Sequence, residues 1–391
     1  MTTQPRIFVF HTECVYSRGG EKYLFQLLKR LSTDFDVELH VQAVSNYWRG
    51  QYEKENITVT TLWKPSRFYW ALLPLFIVVN WWQLRARITS QDVIFATNFP
   101  LNYLGTLLTK KTISHCFEPI AIFYDPITIE SVPPFSRFCI KVAKILYSSF
   151  DKRAIKQTRI LTTLNTEVEK HILSVYHRKP DAFIANGVDT TFFHPAKKPS
   201  KNHLTIGHST DYTPFKGSEN FLSIITILAK KLPNLKIIIT ESMVYPNVKA
   251  AYLKYIKKHR LSSKITFIGN LNETQMVEFY SGLDVFCYTG SPLCAGGSTA
   301  SLSVLESQAC GTPVVRSTGN TDEIVEGKTG FYIDPFDHQA AAATIFRMLN
   351  TSQRSMMRRQ ARAHAQESFS WDNSAKQLKT LINMVAKETN A

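Results

Sequence analysis

Short apolar runs alternate with amphipathic helical stretches along nearly the whole chain, in two successive series. "RIFVFH" (Arg6–His11), "DVELHVQAV" (Asp36–Val44), "DVIFATN" (Asp92–Asn98), "KTISHCF" (Lys111–Phe117) and "RILTTLN" (Arg159–Asn165) read as strands, with helical segments such as Ser17–Ser32 between them. Apolar strands joined by helices predict a mostly parallel sheet covered on both faces. Ile184–His203 breaks the rhythm, and its Lys-Pro-Ser run reads as a linker. Beyond it the alternation resumes with "LTIGHS", "LKIIIT", "KITFIGN", "DVFCYTG", "TPVVRS" and "TGFYIDP". The pattern predicts an α/β chain of two doubly wound domains, and 391 residues suit two domains at about 100–200 residues each. Boundaries are expected at 1–195 and 196–368, with 369–391 as a terminal helical piece.

Ligands of such sheets bind beyond the carboxyl ends of the strands, and two such domains facing each other make a cleft. Most charged residues and glycines of interest fall at strand-to-helix junctions. In "GSPLCAGGSTASLSVLESQACG", Gly296 and Gly297 let backbone approach a ligand, and Ser298 or Thr299 is expected to cap the next helix. Open N–H groups there would bind a diphosphate. Glu306, two turns on, either accepts hydrogen bonds from ribose hydroxyls or is an ordinary surface acid. Lys216 precedes another helix and reads as a phosphate partner or a solvated lysine. His208 either faces the same cleft or is a structural imidazole. Gly19 and Gly20 would admit an anion or sugar, though "SRGGEKY" lacks the spacing of a P-loop. His115 and Glu118 lie at a strand end, where they orient sugar hydroxyls or, for His115, serve the core.

The net charge of +15 favours an anionic partner. Ser136–Arg159 concentrates it, with seven basic residues and one acid. Phe138, Val142, Ile145 and Leu146 recur there at helical spacing, so the helix either rests on anionic lipid or packs on its own sheet. Phe68–Arg87 is the most apolar stretch. Pro74 and Asn80 interrupt it, and it reads as a hydrophobic helix that is buried, membrane-facing, or both. Six cysteines without a CxxC pair give no zinc or redox pattern. Cys139 and Cys310 are expected to be core fillers in a reducing compartment. Asp34 and Asp36 form the one acidic pair of interest, and the surrounding loop reads as surface, so no metal is expected. "MTTQPRIFVFHTE" leads into a strand without a signal-peptide pattern.

The ordered set "RGGEKY", "NGVDTTFFHP", "PFKG", "ITFIGN", "DVFCYTGS", "VLESQACGTPVV", "TDEIVEGKTGFYIDP" and "ESFSWDNSAKQL" resembles the retaining glycosyltransferases of the GT-B fold, family 4. The resemblance implies two facing Rossmann-like domains with an interdomain cleft. It implies an acceptor-side first domain, a nucleotide-sugar-binding second domain and a last helix crossing back. Glu306 matches the family's ribose-binding Glu, Lys216 its phosphate-contacting Lys and Gly20 its first-domain glycine. The backbone from Gly297 to Leu302 would surround phosphate and donor sugar. Ser298 stands where the family often has the first Glu of a pair, as in a variant branch. His208 follows Gly207 where an arginine is usual, and Phe117 precedes Glu118-Pro119 where His or Gln is usual, with His115 two residues earlier.

The expected activity is hexosyl transfer from a UDP- or GDP-linked sugar to a lipid-linked or polysaccharide acceptor. No cofactor or metal is implied. The expected location is cytoplasmic, peripheral on the cytoplasmic membrane face, in polysaccharide and cell-envelope biosynthesis. Epimerase or hydrolase action on the same donor, and non-catalytic sugar-nucleotide binding, are the alternatives. A nucleic-acid partner is not expected, because no recognition motif accompanies the charge.

Overall fold

The structure, a computed structural model, describes residues 6–16, 19–65, 68–196, 203–213, 216–241, 246–290, 301–319 and 322–388. The chain divides into two compact units, Met1–Ala185 with Trp371–Ala391, and Asn186–Ser370. Each is α/β and built on a parallel Rossmann-like sheet.

The first unit runs β1 (Arg6–Cys14), α1 (Gly19–Leu31), β2 (Asp36–Val44), α2 (Asn46–Lys54), β3 (Thr58–Thr61), α3 (Leu73–Leu84), β4 (Val93–Ala96), α4 (Leu101–Leu108), β5 (Thr112–Cys116), α5 (Ala121–Tyr124), α6 (Pro126–Ser131), α7 (Pro134–Gln157), β6 (Ile160–Thr163), α8 (Thr166–Tyr176) and β7 (Ala182–Phe183). The second continues with β8 (Leu204–Thr210), α9 (Ser218–Lys231), β9 (Leu235–Glu241), α10 (Pro246–Lys258), β10 (Ile265–Ile268), α11 (Glu273–Gly282), β11 (Val285–Tyr288), α12 (Leu302–Ala309), β12 (Val314–Ser317), β13 (Gly330–Ile333), α13 (His338–Asn350) and α14 (Arg354–Ser368). The terminal α15 (Trp371–Lys387) returns to the first unit.

The sheet orders are β3-β2-β1-β4-β5-β6-β7 and β10-β9-β8-β11-β12-β13. Strand order therefore reverses between β1 and β4 in one unit and between β8 and β11 in the other. Such switch points, at the carboxyl ends of the strands, are where open α/β sheets leave a crevice. Right-handed crossovers put α3, α4 and α7 on one face of the first sheet and α1 on the other, where α15 packs against it. Phe8, Phe10, Phe76, Phe123 and Tyr147 form part of the core beneath α3, α4 and α7.

The first unit ends at Ala185, ten residues before the boundary expected from the linker-like run. Val188 N–H donates to Phe369 O at 2.8 Å, and Arg362 on α14 reaches the carbonyls of Phe193 (2.6 Å) and Thr190 (2.8 Å). These bonds hold residues 186–195 to the second unit. The second boundary falls after Ser370 rather than 368, because Val188 also bridges Ser370. Trp371 then packs edge-on to Tyr23, and the Ser374 hydroxyl donates to Ala185 O at 2.8 Å.

α3 explains why an asparagine interrupts the most apolar stretch. Asn80 is fully buried; its Oδ1 accepts from Trp63 N–H at 3.0 Å and its Nδ2 donates to Trp63 O at 2.9 Å. Burying a side-chain amide costs little when every group finds a partner, and here it ties the chain after β3 to the helix. No helix of the described residues is long and apolar enough to cross a membrane. Cys310 is buried as expected, but Cys139 is exposed, because it lies on the outer side of α7.

Candidate functional site

In the second unit the switch point is framed by β8, β11 and the turn before α9. Gly217 caps that turn with φ +61, and a Cβ there would meet Thr289 O at 1.7 Å. The Thr289 hydroxyl donates to Gly217 O at 2.8 Å. Only glycine combines the left-handed backbone with this approach. The preceding Lys216 is thereby held at the end of β11, its Nζ 5.8 Å from the centroid of the Tyr288 ring.

His208 lies on β8 beneath this turn and does not line it. Its Nδ1 is 2.9 Å from Cys287 O, its Nε2 is 3.0 Å from Ser218 Oγ, and its ring stacks on Phe221 at 4.4 Å. A carbonyl can only accept, so Nδ1 carries the proton, while Nε2 lies against the Ser218 hydroxyl, which also bonds Thr210 Oγ1 at 2.7 Å. Burial lowers the imidazole pKa to about 4, and the charge of Lys216 pushes the same way. A neutral His208 locked at both nitrogens fixes the first residue of α9. That is a positioning role, and it corrects the expectation of a cleft-facing ligand group.

Glu306 projects from α12, half-buried, and its Oε2 accepts from the Tyr280 hydroxyl at 3.0 Å. That bond orients the carboxylate on its helix. Gly296, Gly297, Ser298 and Thr299 lie outside the described residues. Leu302 opens α12, and the capping position is Ser301 rather than Ser298 or Thr299. Ser301 makes no side-chain cap; its N–H donates instead to Glu323 Oε1. The other oxygen of Glu323 pairs with Arg316 Nη1 from β12, and the Arg316 guanidinium lies 5.3 Å over the Tyr288 ring. Both side chains are sealed from solvent. Burial pushes the Glu323 carboxyl up against the opposing pull of Arg316. The Arg316–Glu323 pair thus anchors the start of α12 to β12, and the sequence reading passed over it. The signal was present: an arginine inside "TPVVRS", a run that reads as a buried strand, must have a partner.

In the first unit, Gly19 and Gly20 open α1, and a Cβ on Gly20 would meet nothing within 4 Å. Space in the protein therefore does not demand glycine there. His11 on β1, also passed over, is buried near the β1/β4 switch, its Nδ1 2.9 Å from Thr97 Oγ1. His115 on β5 stacks on Tyr23 at 5.0 Å and meets Phe117 edge-on at 4.7 Å, as strand alternation predicts. Its Nδ1 is 3.0 Å from Thr162 Oγ1, and burial lowers its pKa to about 3. It is a buried core histidine, and its Nε2 is shielded from solvent without a hydrogen-bond partner. Glu118, just past β5, shares that feature at its Oε2. Burial, then the charge of Asp125, raises its pKa to about 7. Asp151 takes the Tyr124 and Tyr176 hydroxyls at 2.9 and 3.0 Å, and burial raises it to about 6.

Asp34 pairs with Lys379 of α15, and Asp36 begins β2, at the amino end of the sheet and away from the switch point. Among the described residues no cluster of three or more His, Cys, Asp or Glu could hold a metal ion.

Residues 189–365 match the family model described as glycosyl transferases group 1. A D-inositol 3-phosphate glycosyltransferase of Corynebacterium glutamicum is 25% identical over 252 residues, covering 60% of this chain and 59% of that protein. A GDP-mannose-dependent monoacylated alpha-(1-6)-phosphatidylinositol monomannoside mannosyltransferase of the same species is 22% identical over 239 residues, covering 57% of this chain and 61% of the relative. The chain thus spans about three fifths of the length of these curated relatives. Among solved structures, a glycosyltransferase from Rickettsia africae ESF-5 superposes with a TM-score of 0.77 at 18% identity, covering 98% of this chain and 100% of that one. The shared fold is the GT-B α/β architecture with two Rossmann-like sheets.

Proposed function

With a second unit that belongs, over residues 189–365, to the glycosyl transferases group 1 family, we propose that this chain transfers a hexose, with retained anomeric configuration, from a nucleotide-diphosphate sugar to a lipid-linked or glycan acceptor. The observation that carries the reading is the placement of Lys216. A glycine that cannot be replaced without clash wedges this lysine against the end of β11 at the topological switch point. A cation fixed there meets the charge that grows on the bridging oxygen of a departing diphosphate. Glu306, oriented by Tyr280, accepts hydrogen bonds from the ribose hydroxyls. Gly296, Gly297, Ser298 and Thr299 lie outside the described residues; from sequence, the backbone from Gly297 to Leu302 is proposed to surround the phosphates and donor sugar. In the first unit, open space beside Gly20 leaves room at the start of α1 for an anionic group, with Gly19 next to it in sequence.

The acceptor hydroxyl attacks the anomeric carbon on the face from which the diphosphate leaves, and the leaving phosphate takes its proton. No protein nucleophile is required. Within the first unit, Glu118, whose pKa burial raises to about 7, would offer a hydrogen bond to a sugar hydroxyl, and His115 keeps a structural place in β5. Both the GDP-mannose dependence and the phosphatidylinositol-linked acceptor in one relative's name support the substrate classes. No observation favours the epimerase, hydrolase or non-catalytic readings. The donor base and sugar are found with a panel of UDP- and GDP-sugars, read by nucleotide release with and without lipid-linked acceptors. Release that depends on acceptor, with product retaining the donor's anomeric configuration, is expected. Acceptor-independent turnover would make the chain an epimerase or hydrolase, and binding without turnover across the panel would make it a binding protein.

A further inference from the structure

The apolar stripe of the basic helix, Phe138, Val142, Ile145 and Leu146, does not pack on the sheet. α7 buries Ala143, Tyr147, Asp151, Ala154 and Ile155 and turns Phe135, Phe138, Val142, Ile145 and Leu146 outward. Ile145 is 79% exposed and Phe138 65% exposed. These outward residues follow the three- and four-residue spacing of a helical stripe of their own. α3 divides the same way. Leu73, Phe76, Asn80 and Leu84 face the core, whereas Leu75, Val78 and Trp82 face out, Trp82 by 65%. α4 lies against both helices on this face of the sheet, and its Leu107 is exposed too. A monomer in water rarely leaves so contiguous an apolar surface uncovered.

The charges beside it have one sign. Lys141, Lys152 and Arg153 are exposed on α7, and Arg85 stacks on Trp81 at the end of α3. The only acid in α7, Asp151, is buried and bonded to two tyrosines; α3 and α4 contain none. The one exposed acid close by in sequence is Glu130 on α6. We propose that the α3–α4–α7 face docks on an anionic lipid bilayer, its aliphatic and aromatic side chains entering the headgroup boundary while the lysines and arginines meet lipid phosphates. A second copy of the chain fits less well. A two-fold dimer through this face would set the same cationic patch against itself. This surface lies wholly within the first unit, and the inference does not rest on the sugar-transfer reading: vesicle binding needs neither donor nor acceptor.

Co-sedimentation with vesicles of phosphatidylcholine alone, and of phosphatidylcholine mixed with phosphatidylglycerol, tests it. Wild-type protein is expected to bind the mixed vesicles, to bind the neutral ones weakly, and to be released by high salt. A Trp82→Ser/Phe138→Ser/Ile145→Ser variant is expected to lose at least about tenfold in partitioning, and so is Lys141→Glu/Lys152→Glu/Arg153→Glu. All six positions are exposed, so unchanged thermal melts are expected. As a measurement on unaltered protein, brominated lipid should quench tryptophan fluorescence, and Trp82→Phe should lose part of the quench. The proposal is overturned if wild-type protein stays unbound by mixed vesicles, if both triple variants bind as wild type does, or if brominated lipid leaves the fluorescence unchanged. It is equally overturned if this face instead forms a dimer that the serine variant disperses and that ignores vesicles.

Discussion

Gly217→Ala is expected to destabilise the second unit by about 3 kcal/mol or more, while Gly20→Ala leaves the stability of the first unit unchanged to within about 0.5 kcal/mol. Both glycines stand just before or within the first turn of a helix, and a reading from sequence treats them alike. They differ physically. Gly217 holds φ +61, and its missing side chain is where Thr289 O lies, 1.7 Å from an ideal Cβ. A methyl group there must push a backbone carbonyl out of the β11 end and also bear left-handed strain of about 1–2 kcal/mol. Gly20 has nothing within 4 Å. Urea unfolding of the two variants separates the cases. Equal midpoints for Gly217→Ala and wild type would show that the turn before α9 is not wedged against Thr289, and Lys216 would lose its fixed position.

Arg316→Met is expected to lower stability by about 3–5 kcal/mol at pH 8, because it strands a buried carboxylate. The loss should shrink in acid. Burial already holds the Glu323 pKa above the ordinary 4.5, so above that pH the folded state binds more protons than the unfolded one, and stability falls as pH rises through the folded pKa. Removing Arg316 takes away the opposing attraction and pushes the carboxyl higher still. Below pH 4.5 it is protonated in both states, and the charge penalty vanishes. Arg316→Met/Glu323→Gln should recover more than half of the loss at pH 8, since the amide oxygen can still accept from Ser301 N–H. A loss under about 1 kcal/mol, or one independent of pH, would mean that the pair does not anchor α12.

The two parallel sheets were legible because buried parallel strands are apolar throughout and announce themselves as runs, as in "RIFVFH" and "DVFCYTG". The position of Lys216 was legible too, since a lysine and glycine between a strand and a helix mark a junction. Three features were not. His208 and His115 read equally well as ligand groups or core residues, because sequence does not show burial or neighbours; Ser218 and Cys287 take both nitrogens of His208, while Tyr23, Phe117 and Thr162 enclose His115. The first unit's end at Ala185 was masked by a linker-like composition further on, whereas the bonds from Arg362 and Phe369 that hold residues 186–195 come from far along the chain. In α7, periodicity located an apolar stripe but not its direction. A stripe at helical spacing usually faces the core, yet here small residues and Tyr147 fill the inner side.

The central claim is that a nucleoside diphosphate is held in the second unit, its phosphates by Lys216 and its ribose by Glu306. It is tested most directly by calorimetric titration of UDP and GDP into wild-type protein, Lys216→Ala and Glu306→Gln, each shown to be folded by its thermal melt. The account predicts that one of the two nucleotides binds wild type and that each substitution weakens it by about 10- to 100-fold. Undiminished affinity in both folded variants would contradict it.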